Sequence, residues 1–141
     1  MSDQERPTLQ HFPPSGAAAE AARAGGFVLP FSSAVRAGDV LYLSGQIGAL
    51  PDGSLPEGIE AQSRQAMANV GAVLETAGLG FDDVFHCLVI LADMAEWGAF
   101  NRIYLEHFQA GRLPARSAFA AAGLALGARV EIECQAWAGG R

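Results

Sequence analysis

One arginine in a run of small residues is the first feature of the chain with chemical potential. From Ala115 to Ala122, within and beyond Leu113-Pro114-Ala115-Arg116-Ser117-Ala118, every residue except Arg116 is Ala, Ser or Phe. A guanidinium keeps its charge, so burying such a strand demands an anionic partner, either a carboxylate of the protein or one carried by a ligand. Glu131 is the second residue of interest. It opens an alternating segment in which Val130, Ile132, Cys134 and Ala136 point one way and Glu131, Glu133, Gln135 and Trp137 the other, the period of a strand with one buried face. If the strands of Arg116 and Glu131 are neighbours, both side chains can face the same side. Two readings then stand. The pair is a cross-strand ion pair that supports a subunit interface, or Arg116 grips a small carboxylate through two parallel hydrogen bonds while Glu131 poises a water.

The elements that must position these residues follow from pattern and punctuation. Residues 1–26, interrupted by Pro7, Pro13, Pro14 and Gly16, read as a variable tail. Within it the run after Ser15 is a short, marginal helix that Gly25 and Gly26 would end. Residues 27–141 form one domain. Phe27 to Ala37 is extended, Gly38-Asp39 turns, and Val40 to Ser44 is an apolar strand of the kind buried on both faces or at a sheet centre. Gly45 and Gly48 admit a close approach of the backbone to a ligand or another strand, and Pro51-Asp52-Gly53-Ser54 is a turn.

A helix is predicted from Ile59 to Ala77, with Ala66, Met67, Val70, Val73 and Leu74 on one face and Gln62 and Ser63 mostly off it. Gly78 suits its C-terminal cap. A strand from Val84 to Leu91 follows. Asp93 then caps a second helix from Met94 to Gln109, with Glu96 completing a capping box. Trp97, Phe100, Tyr104 and Phe108 form its buried face, and His107 near its end suits the helix dipole as a cation. Strands from Ala115 to Ala122 and Arg129 to Ala138 close the chain. The sum is an α+β fold, a mixed sheet with two helices on one face. The open face, assigned to Arg116, Ala118, Ala120 and Ala122 or their alternates together with the Glu131 row, invites oligomerisation.

Composition narrows the function. The chain has 141 residues, half of them hydrophobic, and a net charge of -6. The acidic balance argues against a nucleic-acid binder, which usually presents a basic surface. Cys87 and Cys134 fall in apolar strands and read as reduced core thiols, with no Cys/His spacing for zinc. No apolar run is long enough to span a membrane, so a cytoplasmic protein is expected. The loop Gly123-Leu124-Ala125-Leu126-Gly127-Ala128 has neither of the common phosphate-binding motifs.

The segments AVRAGDVLYLSGQIG, ADM followed by FNRIYLEHF, LPARSA and VEIECQAWA resemble the RidA/YjgF family of reactive-intermediate deaminases, in order and spacing, over about residues 27–138. The resemblance implies a chorismate-mutase-like fold and a homotrimer with sites between subunits. It also implies hydrolysis of 2-imino or enamino acids to 2-keto acids and ammonia without a metal or cofactor. Arg116 matches the arginine that grips the substrate carboxylate, and Glu131 the glutamate that positions or activates water. Ser44 and Gly45 fall in the S-G-Q motif that lines the pocket, and Asn101 is the asparagine of N-x-x-Y. Phe31 stands where the family usually has a tyrosine, Leu29 where it has a glycine, and Ala118 where a cysteine often follows the arginine motif. The alternatives are a non-catalytic trimer that binds small carboxylates and an endoribonuclease, an activity also ascribed to the family.

Overall fold

The computed structural model describes residues 6, 8–26 and 28–140. In chain order its elements are β1 (Leu9–Phe12), α1 (Gly16–Ala24), β2 (Ala34–Ala37), β3 (Val40–Leu43), β4 (Gln46–Ile47), α2 (Ile59–Thr76), β5 (Val84–Leu91), α3 (Trp97–Tyr104), β6 (Ala115–Ala120) and β7 (Val130–Trp137). The expected start of the extended segment, Phe27, and residues 1–5 and 7 of the expected tail lie outside the described residues.

The alternating C-terminal segment is the centre of the sheet. One edge of β7 pairs antiparallel with β5, the other with β3 and β4, and the sheet order is β1-β2-β3-β7-β5-β6 with β4 also on β7. Val130, Ile132, Cys134 and Ala136 are buried, as the alternation requires. They meet Ala66, Met67, Val70 and Leu74 of α2 and Phe100 of α3 in one core. Each fully buried Val, Leu, Met or Phe contributes roughly 1.5–3 kcal/mol. The result is an α+β fold with α2 and α3 over one face of a mixed sheet.

Several expectations change on folding. The last two strands are not neighbours: β6 runs parallel to β5, which separates it from β7. A parallel pair needs a crossover between its strands, and α3 supplies it. The stretch expected to be a tail contributes an edge strand, Leu9–Phe12 in register with Ala37–Ala34. In α1, Ala19 and Ala22 are buried. Pairing with the edge of β2 gives these residues an order that their local propensity does not.

Of the two places expected for β3, the one inside the sheet holds, between β2 and β7, but the strand is buried on one face only, since Tyr42 between Leu41 and Leu43 is exposed. In α2, Gln62 and Ser63 are buried rather than outside. Gln62 is tolerated because its amide donates to the Pro56 carbonyl and accepts from the Arg129 N–H. The second helix is shorter than expected, its α-helical part covering Trp97–Tyr104 between 3₁₀ turns at Met94–Glu96 and Leu105–His107. Asp93 does cap it through the Ala95 N–H (2.9 Å), but Glu96 binds Arg129 instead of closing a capping box. His107 packs on Phe81, with ring centroids 4.8 Å apart. Burial there lowers its pKa, so the cation expected at the helix end is disfavoured.

Candidate active site

Strand β6 alternates, and its register with β5 fixes which face each residue takes. Arg116 lies opposite Cys87 and Ala118 opposite Val89, both buried under the helices. Arg116 and Ala118 therefore belong to the helix-covered face, and the open face receives Ala115, Ser117 and Phe119. Arg116 reaches up to α3. Its Nη2 donates to Asn101 Oδ1 at 2.8 Å. The guanidinium carbon stands 4.7 Å from the Tyr104 ring centre and 5.9 Å from those of Trp97 and Phe100. Rings at such distances stabilise a cation without neutralising it. Among the described residues no carboxylate lies within ion-pair distance of Arg116. The protein partner considered from sequence is thus an amide and three rings, and the charge is left for something else.

Trp97 was expected in the core. It is 46 % exposed instead, flanking Arg116, while Ile103 takes the buried position on the helix. Helical spacing alone does not distinguish these two, because both lie next to the Phe100–Tyr104 stripe.

Glu131 sits on the other face. Its strand neighbours in register are Ile90 on β5 and Ile47 on β4. Ile90 is in turn opposite Phe119, so the carboxylate stands in an apolar row. Partial burial raises its pKa, with a further push from the negative charge of Glu133. A raised pKa suits a carboxylate that takes a proton from water.

The glycine that sequence marked for a close approach explains the placement. A Cβ on Gly45 would lie 2.9 Å from the Glu131 carboxyl carbon and closer still to Oε1. Only a residue without a side chain leaves room for Glu131 in this pose. Next to it, Ser44 donates its hydroxyl to the Ser32 carbonyl (2.6 Å) and its N–H to the Ser33 carbonyl (2.9 Å), tying the β3–β4 break to the segment that carries Phe31. Phe31 is 48 % exposed. Ser32, Tyr42, Ser44, Glu133 and Gln135 line a groove of about 400 Å³ on this face.

The predicted residues thus fall into two sets. Arg116, Asn101 and Ala118 share the helix face, with Trp97 and Tyr104 as additions that sequence reasoning had assigned only to the core. Glu131, Ser44, Gly45 and the Phe31 segment belong to the other side of the sheet or its rim. The expectation that Arg116 and Glu131 face the same side is corrected. Successive residues of a strand alternate, and with β5 between them the two side chains of one chain point away from each other. Among the described residues no group of three or more His, Cys, Asp or Glu side chains is placed to hold a metal ion, and no helix is long and apolar enough to cross a membrane.

This architecture is that of the Rid-type proteins. A solved structure of a Rid-family protein from Yersinia pestis superposes with a TM-score of 0.79 at 32% identity, covering 92% of this chain and 99% of the other. RidA from the Antarctic bacterium Psychrobacter gives a TM-score of 0.75 at 32% identity, covering 94% and 99%. The family model described as endoribonuclease L-PSP matches residues 23–138, and the chain belongs to this family, the RidA/YjgF proteins. Among its relatives is the mouse protein named 2-iminobutanoate/2-iminopropanoate deaminase, 43% identical over 106 residues, or 74% of this chain and 78% of that one. The human protein of the same name is 38% identical over 117 residues, covering 82% and 85%.

Proposed function

We propose that the protein hydrolyses reactive 2-imino and enamino acids, such as 2-iminobutyrate and 2-iminopropanoate or its tautomer 2-aminoacrylate, to 2-keto acids and ammonia. The observation that carries this reading is the state of Arg116: a fixed cation, backed by rings, tied to Asn101 and free of any carboxylate among the described residues. Such a group suits a carboxylate-bearing substrate. The names of the mouse and human relatives support the imine as its reacting part.

In the proposed reaction Arg116 holds the carboxylate and Glu131 takes a proton from a water as that water adds to the imine carbon. The proton passes to nitrogen, the carbon–nitrogen bond breaks as the new hydroxyl gives its proton to Glu131 and becomes the keto oxygen, and ammonia leaves with the keto acid. A protonated imine is already electrophilic, so the main task is to orient one water against one carbon. Ser44, Gly45 and Phe31 line the Glu131 half of the site, and Asn101 and Ala118 the Arg116 half.

Because the halves lie on opposite faces of one sheet, a substrate touching both needs two copies of the chain, with Arg116 from one and Glu131 from the next. A homotrimer closes such a heterologous contact. The exposed Tyr42, Phe119 and Trp137 of the open face are apolar area suited to it. Sedimentation as a monomer would remove this composite site. The setting we infer is the cytoplasm, in metabolite damage control.

The test couples a dehydratase that releases 2-iminobutyrate to the disappearance of the imine. Wild-type protein should accelerate that step. Arg116→Ala should lose a hundredfold or more in kcat/KM, since two hydrogen bonds to a charged group contribute about 3 kcal/mol or more. Equal rates for both proteins would remove Arg116 from the mechanism. No acceleration by a folded oligomer would leave a trimer that binds small carboxylates without turning them over.

A further inference from the structure

The two cysteines of the chain lie directly opposite each other. Cys87 on β5 is in register with Cys134 on β7, both are buried, and their sulfurs are 3.3 Å apart. The kind of pair they form follows from a single hydrogen bond. Ala92 N–H donates to Arg129 O at 2.9 Å, one step beyond the Leu91–Val130 pair in the same register. A bond from residue 92 to residue 129 flanks the Leu91–Val130 pair and marks that pair as non-hydrogen-bonded. Alternating along the ladder, Ile90–Glu131 and Leu88–Glu133 are hydrogen-bonded, while Leu91–Val130, Val89–Ile132 and Cys87–Cys134 are not. Non-hydrogen-bonded pairs bring Cα atoms to about 4.5 Å, inside the range of about 4.4–6.8 Å that a disulfide spans. The two thiols are within reach of bonding without moving either strand.

We propose that Cys87 and Cys134 are an oxidisable dithiol that closes to a cross-strand disulfide behind the Arg116 clamp and loosens it. Hydrogen peroxide is the oxidant class. The Cys87 thiolate attacks one peroxide oxygen, giving a sulfenic acid and hydroxide. The Cys134 sulfur then displaces the sulfenic oxygen as water and gives up its proton. Two thiols and one peroxide become one disulfide and two waters.

The surroundings favour Cys87 as the attacking sulfur. It is hydrogen-bonded by Cys134 and feels the Tyr104 hydroxyl and the Arg116 charge, which together lower its pKa against the opposing effect of burial. The hydrogen bond to Cys87 and burial push Cys134 up. The Tyr104 hydroxyl is buried without a well-formed hydrogen bond, and it stands close enough to Cys87 for each to influence the other's ionisation. The same Tyr104 ring backs the Arg116 guanidinium at 4.7 Å. Closing the disulfide draws the sulfurs from 3.3 Å to about 2.05 Å. The Cys87 sulfur then moves towards β7, the support beside Tyr104 changes, and the shelf behind Arg116 resettles. The link to the clamp rests on the carboxylate-binding reading of Arg116; the disulfide itself does not.

The native protein is treated with hydrogen peroxide, quenched, alkylated under denaturing conditions and weighed, with exposed Met94 as an internal monitor of oxidant dose. The expected product has lost two hydrogens, contains a Cys87–Cys134 cross-linked peptide and reverts with dithiothreitol. Cys134→Ser should stop at an oxygen added to Cys87. Full alkylation of both cysteines after Met94 has become sulfoxide would overturn the proposal, as would a cross-link seen only after the fold is lost. Binding of 2-ketobutyrate to the oxidised protein should weaken by between about twofold and thirtyfold, the span of a lost guanidinium–ring contact, and recover on reduction. A cross-linked protein with unchanged affinity would refute the coupling to Arg116.

Discussion

Replacing Gly45 by alanine separates the geometry of Glu131 from the stability of the fold. The new methyl carbon would lie 2.9 Å from the Glu131 carboxyl carbon and nearer still to Oε1. What it meets is the far end of a flexible side chain, and Gly45 has no positive φ to forbid a side chain. The chain should therefore fold, and the carboxylate should turn aside by an ångström or so. A displacement of about 1 Å from the productive pose costs about a hundredfold in rate, equivalent to about 2.7 kcal/mol in activation free energy. Gly48 supplies the matched control. A Cβ there would lie 2.8 Å from Gln62 Cα and 2.9 Å from its carbonyl carbon, backbone of α2 that has no rotamer to change. Gly48→Ala should lose roughly 1–3 kcal/mol of stability through overpacking, with little effect on kcat/KM for the molecules that stay folded. The assay is imine disappearance behind a dehydratase, read beside a thermal melt of each variant. Wild-type kcat/KM in Gly45→Ala would refute the placement of Glu131. So would a loss that merely follows the unfolded fraction.

Three further outcomes are expected. Glu131→Gln should abolish the acceleration while raising the melting temperature at neutral pH. Burial raises the Glu131 pKa in the folded state, so between the unfolded and folded values the folded protein holds the extra proton, and stability falls as pH rises through that window. The gain from glutamine should vanish below the ordinary carboxylate range, and the wild-type rate should fall as pH drops through the raised pKa. Asn101→Ala should weaken binding of 2-ketobutyrate by roughly tenfold to a hundredfold, because a 2.8 Å bond that orients Arg116 is one of the charge-assisted kind, contributing about 1.5–3 kcal/mol. Arg129→Ala should lower stability by about 1.5–3 kcal/mol by the same principle, measured by urea denaturation. Its guanidinium binds Glu96 at the start of the crossover.

The sequence by itself determined the elements whose signals are local. Alternation in β7, the helical stripe of α2 and the Asp93 cap each depend on spacing within a few residues. The motifs around Ser44, Asn101, Arg116 and Glu131 carried the family in the same way. Tertiary structure decided the rest, because the deciding contacts join residues far apart in the chain. The crossover through α3 sets β6 parallel to β5 and so parts Arg116 from Glu131. Register with Cys87 then turns Arg116 towards the rings of α3, while register with Ile90 and Ile47 leaves Glu131 on the open face. Strand periodicity says that neighbours alternate, but the sign of the alternation is fixed only when a strand finds its partner. The edge strand Leu9–Phe12 obeys the same physics: its hydrogen-bonding partner, β2, lies beyond the intervening α1.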